Sequence, residues 1–165
     1  MKKLGQMKPI IYAMVGTIGS GKTTYARKLS EEKRALLFCI DENIKQLGQS
    51  ITSKEDYEKY YFGVRTIIAD HASKALNLGN SVVLDFGGSV GHWEWLQSVA
   101  SPSNAEIEIV HLLAPLQVRR ERVRKRNSEP HAVFRFTDAE FDAMPTESAA
   151  PKDKPGLRVT EVQTT

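Results

Sequence analysis

The chain has 165 residues, 41% of them hydrophobic, enough for one full core and too few for two large domains, so a single domain over 1–165 is expected. Its 23 basic and 20 acidic side chains leave a net charge of +3, a mild attraction for phosphates that does not by itself indicate a nucleic-acid partner. One cysteine, Cys39, excludes an internal disulfide, and His71, His92, His111 and His131 lack metal-ligand spacing.

Ile10 to Val15 reads as the first strand. Lys2 and Lys3 ahead of it faintly imitate a signal peptide, but the apolar run is short, follows Pro9 and leads into a glycine loop instead of a cleavage site. No stretch reaches bilayer-spanning length, and a reducing cytoplasm is the expected setting.

The glycine loop is Gly16-Thr17-Ile18-Gly19-Ser20-Gly21-Lys22-Thr23. Its glycines let backbone N–H groups close around phosphates, Lys22 brings a point charge toward the β/γ oxygens, and Thr23 offers a hydroxyl to Mg²⁺. A helix over Lys22 to Glu32 completes the strand–loop–helix context, and ATP or a close relative is the expected ligand.

Ala35 to Ile40 reads as the second strand, followed by Asp41 and Glu42. Ligands of open parallel sheets sit beyond the carboxyl ends of the strands, which directs attention to acids there. Asp41 suits two roles: base for a hydroxyl attacking the γ-phosphorus, or N-cap of a helix over Glu42 to Leu47. Spacing alone does not separate them. Cys39 reads as a small buried side chain and not as a nucleophile.

The clearest helix spans about Lys54 to Leu78, with Tyr57, Tyr60, Tyr61, Val64, Ile67, Ile68, Ala72, Ala75 and Leu76 at helical spacing. Thr52 with Glu55, or Ser53 with Asp56, suits a capping box, and Gly79-Asn80 a stop. The tyrosines are most simply packing residues, with a tyrosine facing a substrate pocket the less favoured alternative. Ser81 to Leu84 forms the third strand and ends in Asp85, placed to support Mg²⁺ or its waters beside Thr23, with a helix cap or turn aspartate as the bland alternative.

Ile107 to Leu113 is the fourth strand, and Pro115 opens a helix to about Asn127. Six of the eight residues from Arg119 to Arg126 are basic, and Arg119, Arg122 and Arg126 share one sector of that helix. Such a face suits stabilisation of phosphoryl-transfer charge or attraction of a polyanionic substrate, although from charge alone the plain reading, a solvated basic helix, is favoured. Pro145 to Gly156 reads as a surface loop before a weak last strand, Leu157 to Val162. The alternation of strands and helices indicates an α/β fold, a mainly parallel five-stranded sheet with helices on both faces.

Gly16 to Thr24, Ile40-Asp41, Val82 to Asp85, and His111 to Pro115 through Arg122 to Asn127 together resemble the small P-loop kinases grouped with chloramphenicol phosphotransferase, polynucleotide 5′-hydroxyl kinases and zeta-toxin sugar-nucleotide kinases. The resemblance implies a P-loop NTPase fold with an arginine-bearing lid and adjoining helices over about 115–140. It places ATP and Mg²⁺ on the loop Gly16, Thr17, Ile18, Gly19, Ser20, Gly21, Lys22 and Thr23, with Thr24 beside it among the expected nucleotide-binding residues. It makes Asp41 the base for a substrate hydroxyl, and Arg122 with Arg126 the lid arginines. The chain departs from the family at Phe86 to Trp95, which is arginine-free and aromatic where relatives often carry an arginine-rich helix. That segment is assigned to substrate selection, with Trp93 or Trp95 as core anchors being the plainer reading. Arg135 to Pro145 resembles the family's variable helix and following loop.

The expected activity is transfer of the ATP γ-phosphoryl group to a hydroxyl of a small molecule, with Lys22, Asp41, Arg122 and Arg126 catalytic and Thr23 and Asp85 on Mg²⁺. Two other readings are a polynucleotide or nucleotide 5′-hydroxyl kinase, motivated by the arginine cluster, and a regulator that binds ATP without catalysis. A GTPase-type switch is disfavoured, since no Asn-Lys-x-Asp run is present.

Overall fold

The computed structural model describes residues 8–47, 54–86, 93–130, 132, 135–148 and 157–165. Strand β1 (Ile10–Val15) is central, because its unbroken apolar run tolerates helices on both faces. It pairs in parallel with β3 (Val82–Asp85) on one side and β4 (Glu106–Leu113) on the other. Strand β2 (Leu36–Cys39) lies outside β3, and β5 (Arg158–Gln163) outside β4, giving the order β2-β3-β1-β4-β5 with every pairing parallel. The edge strand β5 is largely exposed and its sequence is polar, as an edge requires.

Side-chain alternation along β1 divides the core. Ile11, Ala13 and Val15 point into a cluster with Val64, Ile68, Ala72 and Leu76 of α3 (Lys54–Asn77) and Leu96 and Val99 of α4 (Trp93–Ala100). Tyr12 and Met14 point the other way, onto Ala26 and Leu29 of α1 (Lys22–Lys33). Ile11 and Ile109 are about 1% exposed or less, and each such burial contributes about 1.5–3 kcal/mol relative to the exposed side chain.

The expected elements are present with small shifts of boundary. Helix α3 ends as its sequence predicts: Gly79 adopts φ +85° and donates its N–H to the Leu76 carbonyl at 2.9 Å, and Asn80 donates to Ala75 at 3.0 Å. Thr52 and Ser53, the expected caps, lie outside the described residues. Pro115 is the N-cap of α5 (Leu116–Asn127) instead of its first helical residue. Within 135–145 the short helix α6 (Asp138–Asp142) starts with a capping box between Thr137 and Glu140. Helix α4 is not anticipated from the sequence; its burial of Leu96, Val99 and Ala100 supplies the reason it forms. The second strand is shorter than expected, because Ile40 already opens α2 (Ile40–Gln46). Among the described residues no helix is long and apolar enough to cross a membrane.

Candidate active site

The loop from Gly16 to Thr23 joins the carboxyl end of β1 to α1, so the amino end of α1 faces the space above the central strands. Two of its glycines are required by close approach. A Cβ on Gly16 would stand 2.5 Å from Ser20 Oγ and 2.7 Å from the Leu112 carbonyl oxygen, and one on Gly19 would stand 2.5 Å from the Arg119 carbonyl oxygen. Gly19 also has φ +76°, a left-handed conformation that side chains resist. The loop is thereby pressed between β4 and the first turns of α5. Ser20 is fully buried, and among the described residues its Oγ has no hydrogen-bond partner.

Lys22 Nζ donates to the carbonyls of Gly16 at 2.9 Å and Thr17 at 3.0 Å, which holds its ammonium across the loop. Burial pushes this ammonium below its usual pKa range, the carboxylates of Asp85 and Asp41 draw it back up, and Arg126 and Arg119 depress it further. Thr23, in the first turn of α1, donates its hydroxyl to Asp85 Oδ2 at 2.6 Å. Asp85 is buried at the end of β3, and the Cys39 thiol lies 3.5 Å from the same oxygen. Burial raises the Asp85 pKa, the Thr23 hydrogen bond and the Lys22 charge lower it, and the Asp41 charge raises it.

Asp41 occupies the first turn of α2, whose N-cap is Cys39 and carries no side-chain cap hydrogen bond. The capping alternative for Asp41 is therefore not how the helix starts. Its Oδ1 accepts a 2.8 Å hydrogen bond from Tyr57 of α3. Burial first, and then the Asp41 charge, raises the Tyr57 pKa, so the phenol remains a donor. Helical periodicity assigns Tyr57 to packing and misses this contact; the available clue is its place one helical turn before Tyr61 and two before Arg65 on one face.

The arginines of α5 separate into different surroundings. Arg122 Nη1 donates to Thr164 Oγ1 at 2.9 Å and to the Gly19 carbonyl at 3.3 Å, while its Nη2 reaches the Thr165 carbonyl at 2.8 Å. Thr164 in turn donates to the Ser20 carbonyl at 2.8 Å, a contact with the loop that no sequence motif announces. Arg126 lies 5.6 Å from the centre of the Phe136 ring, with a buried Nε that has no hydrogen-bond partner among the described residues. Arg119 is buried, donates to the Thr146 carbonyl at 2.9 Å and faces Phe141, so the shared sector expected for Arg119, Arg122 and Arg126 serves three separate sets of contacts.

Thr23 and Asp85 present two hard oxygens side by side, and no cluster of three or more His, Cys, Asp or Glu side chains that could hold a metal occurs among the described residues. This donor set fits Mg²⁺, which takes one or two protein ligands and completes its shell with water and phosphate. It does not suit an all-protein metal cage.

Comparison with solved structures supports the fold. A Chloroflexus aurantiacus protein provisionally assigned as a kinase superposes with a TM-score of 0.78 at 16% identity, covering 95% of this chain and 90% of that one. A sugar kinase from Janibacter sp. HTCC2649 gives 0.58 at 19% identity, covering 94% and 85%. Chaetomium thermophilum Kti12 in complex with ADP-AlF3 gives 0.61 at 17% identity, covering 93% and 89%. At these identities the likeness concerns the fold. No curated protein sequence matches. A family model described as AAA domain matches residues 11–151, which takes in the phosphate loop, all three inner strands and α5. The chain belongs to this AAA domain family, and its fold is that of the P-loop kinases.

Proposed function

We propose that the protein is an ATP- and Mg²⁺-dependent phosphotransferase that moves the γ-phosphoryl group to a hydroxyl of a small molecule. The observation that carries this reading is the position of Asp41: beyond β2, hydrogen-bonded to Tyr57, and near enough to both Lys22 and Asp85 for its charge to act on each. A carboxylate in that place suits removal of the acceptor's proton as its oxygen bonds to the γ-phosphorus and the bond to the β-phosphate oxygen breaks, releasing ADP.

The loop N–H groups and Lys22 bind the phosphates, and Arg126 supplies positive charge on the side of α5. Arg122 fixes α5 against the loop. Bound Mg²⁺, held through Thr23 and Asp85, supplies neutralisation of charge on the phosphate oxygens. Sequestration by the 115–140 region excludes water and protects the phosphoryl group from hydrolysis.

The polynucleotide reading draws less support, because the basic helix that motivates it is largely committed within the protein. Arg120 pairs with Asp142, Arg124 pairs with Asp138, and Arg119 is buried. The regulatory reading gives no task to the Asp41–Tyr57 pair. A panel of hydroxyl metabolites assayed for ATP-dependent product, with Lys22→Ala as control, tests the proposal. Tight ATP binding with no product from any member would favour the regulator instead.

A further inference from the structure

One face of α3 carries Tyr57, Tyr61 and Arg65 at successive four-residue steps, beginning at the proposed base. Tyr57 donates to Asp41, and Tyr61 donates its hydroxyl at 3.1 Å to the carbonyl of Phe86, the residue after Asp85. Arg65 lies with its guanidinium 4.7 Å from the centre of the Trp95 ring, and Trp95 packs on Phe86 with ring centres 4.7 Å apart. Burial raises the Tyr61 pKa to about 12, with the Arg65 charge lowering it and the Asp41 charge raising it, so this hydroxyl is within electrostatic reach of both ends of the row.

Arg65 is the unexplained member. It is half-buried, and among the described residues its buried Nε has no hydrogen-bond partner and no carboxylate pairs with it. A buried Nε–H without an acceptor is unfavourable, and stacking on an aromatic face satisfies the plane of the guanidinium but supplies no acceptor to its N–H groups. Arg65 lies two helical turns, about 12 Å along the axis, from Tyr57, and helical side chains lean toward the N-terminus, which shortens that span.

We propose that Arg65, backed by Trp95, is the acceptor-recognition residue, and that the acceptor is an alcohol bearing an anionic group, a carboxylate or a phosphate, a short carbon chain away from the hydroxyl presented to Asp41. This rests on the phosphotransferase reading and adds the substrate class to it. The guanidinium fork binds the anion through paired N–H bonds, with Tyr61 between it and Tyr57 on the same helix face, and the reacting hydroxyl is set beside Asp41. Neutral alcohols of the same length leave Arg65 unpaired and are rejected.

Two matched sets test this: glycerate, glycerol 3-phosphate and glycerol; and ribonate, ribose 5-phosphate and ribose. Each is assayed for ATP-dependent phosphorylation, and separately titrated against tryptophan fluorescence in the presence of a non-hydrolysable ATP analogue, which reads binding without transfer. An anionic member of either set is expected to exceed its neutral counterpart by about 100-fold in kcat/KM and in affinity. The carboxylate and phosphate arms identify which anion is used. Arg65→Met, which keeps the stem over Trp95, is expected to abolish that preference through KM and Kd while ATP affinity stays unchanged, and Arg65→Lys to restore part of it. Equal use or binding of neutral and anionic members, or an unchanged preference in Arg65→Met, would overturn the proposal and leave Arg65 as a packing residue. Anion binding lost in Arg65→Met together with no transfer by the native protein would sustain this site and overturn the phosphotransferase reading instead.

Discussion

The Thr23 hydroxyl donates to Asp85 Oδ2 at 2.6 Å, joining the first turn of α1 to the end of β3. On the proposed metal-side role, Mg²⁺ would exchange that hydrogen bond for contacts to the same two oxygens, which already stand together. Asp85→Ala is expected to lower phosphoryl transfer by about 100-fold and to raise the Mg²⁺ concentration needed for half-maximal rate, with metal-free nucleotide binding much less affected. Steady-state rates over a Mg²⁺ series check this; an unchanged Mg²⁺ requirement contradicts the metal-side role.

Gly19 and Gly63 provide opposite outcomes for one substitution. Gly19→Ala forces a Cβ to 2.5 Å from the Arg119 carbonyl at φ +76°, and is expected to cost about 1–3 kcal/mol and weaken nucleotide binding at least several-fold. Gly63 lies in α3 with nothing within 4 Å of the place a Cβ would take, so Gly63→Ala is expected to stabilise by about 0.5–1 kcal/mol. For a domain of this size each kcal/mol moves Tm by about 2–4 °C, and thermal melts with nucleotide titrations distinguish the two.

Cys39 is buried beside Asp85, and burial, followed by the Asp85 charge, pushes its thiol up to about 12. Alkylation of the native protein at pH 8 is expected to be suppressed by about 1,000-fold relative to the unfolded chain, since the reactive thiolate is depleted and shielded. Tyr57 and Tyr61 are shifted in the same direction. Raised folded-state values mean that the native state holds these protons more tightly; the resulting stability is complete below the unfolded values of 9.0 for the thiol and 10.0 for the phenols, and is lost as pH rises through the folded ones. Denaturant midpoints are expected to fall progressively above about pH 9, and Cys39→Ala to reduce that fall. A midpoint flat to about pH 11 would contradict the burial described for these groups.

Arg122 uses its planar fork, with one nitrogen on Thr164 and the Gly19 carbonyl and another on the Thr165 carbonyl. Lysine cannot reproduce that geometry. Arg122→Lys is expected to weaken nucleotide binding by about 10-fold and to speed hydrogen exchange at the Thr164 amide, which donates to Leu113 at 2.8 Å. Native-like exchange there would show that Arg122 does not hold this segment.

The strands and the phosphate loop were legible because they depend on local signals: an apolar run such as Ile10 to Val15, and glycines at positions where Gly16 and Gly19 meet neighbouring backbone. The order β2-β3-β1-β4-β5 is set by tertiary pairing and was not. Asp41 and Asp85 were identifiable as acids at strand ends, but their surroundings were not. The partner of Asp41 is Tyr57, 16 residues on, and the pairing depends on how α3 crosses α2. Thr164 reaches the Ser20 carbonyl across 144 residues, a meeting set by the parallel addition of β5 beside β4. Arg119 illustrates the limit of helical periodicity: it shares a sector with Arg122 and Arg126, yet α6 and the chain at Thr146 enclose it.

Transfer from γ-³²P-labelled ATP to a pooled set of hydroxyl compounds, compared between the native protein and Asp41→Asn under matched ATP occupancy, tests the central claim most directly. The native protein is predicted to form a phosphomonoester in step with ADP, and Asp41→Asn to bind ATP with similar affinity while transfer falls by about 100-fold to 10,000-fold. Native-level transfer by Asp41→Asn would contradict the assignment of the base, and ATP binding without phosphomonoester from any compound in the native protein would contradict the phosphotransferase itself.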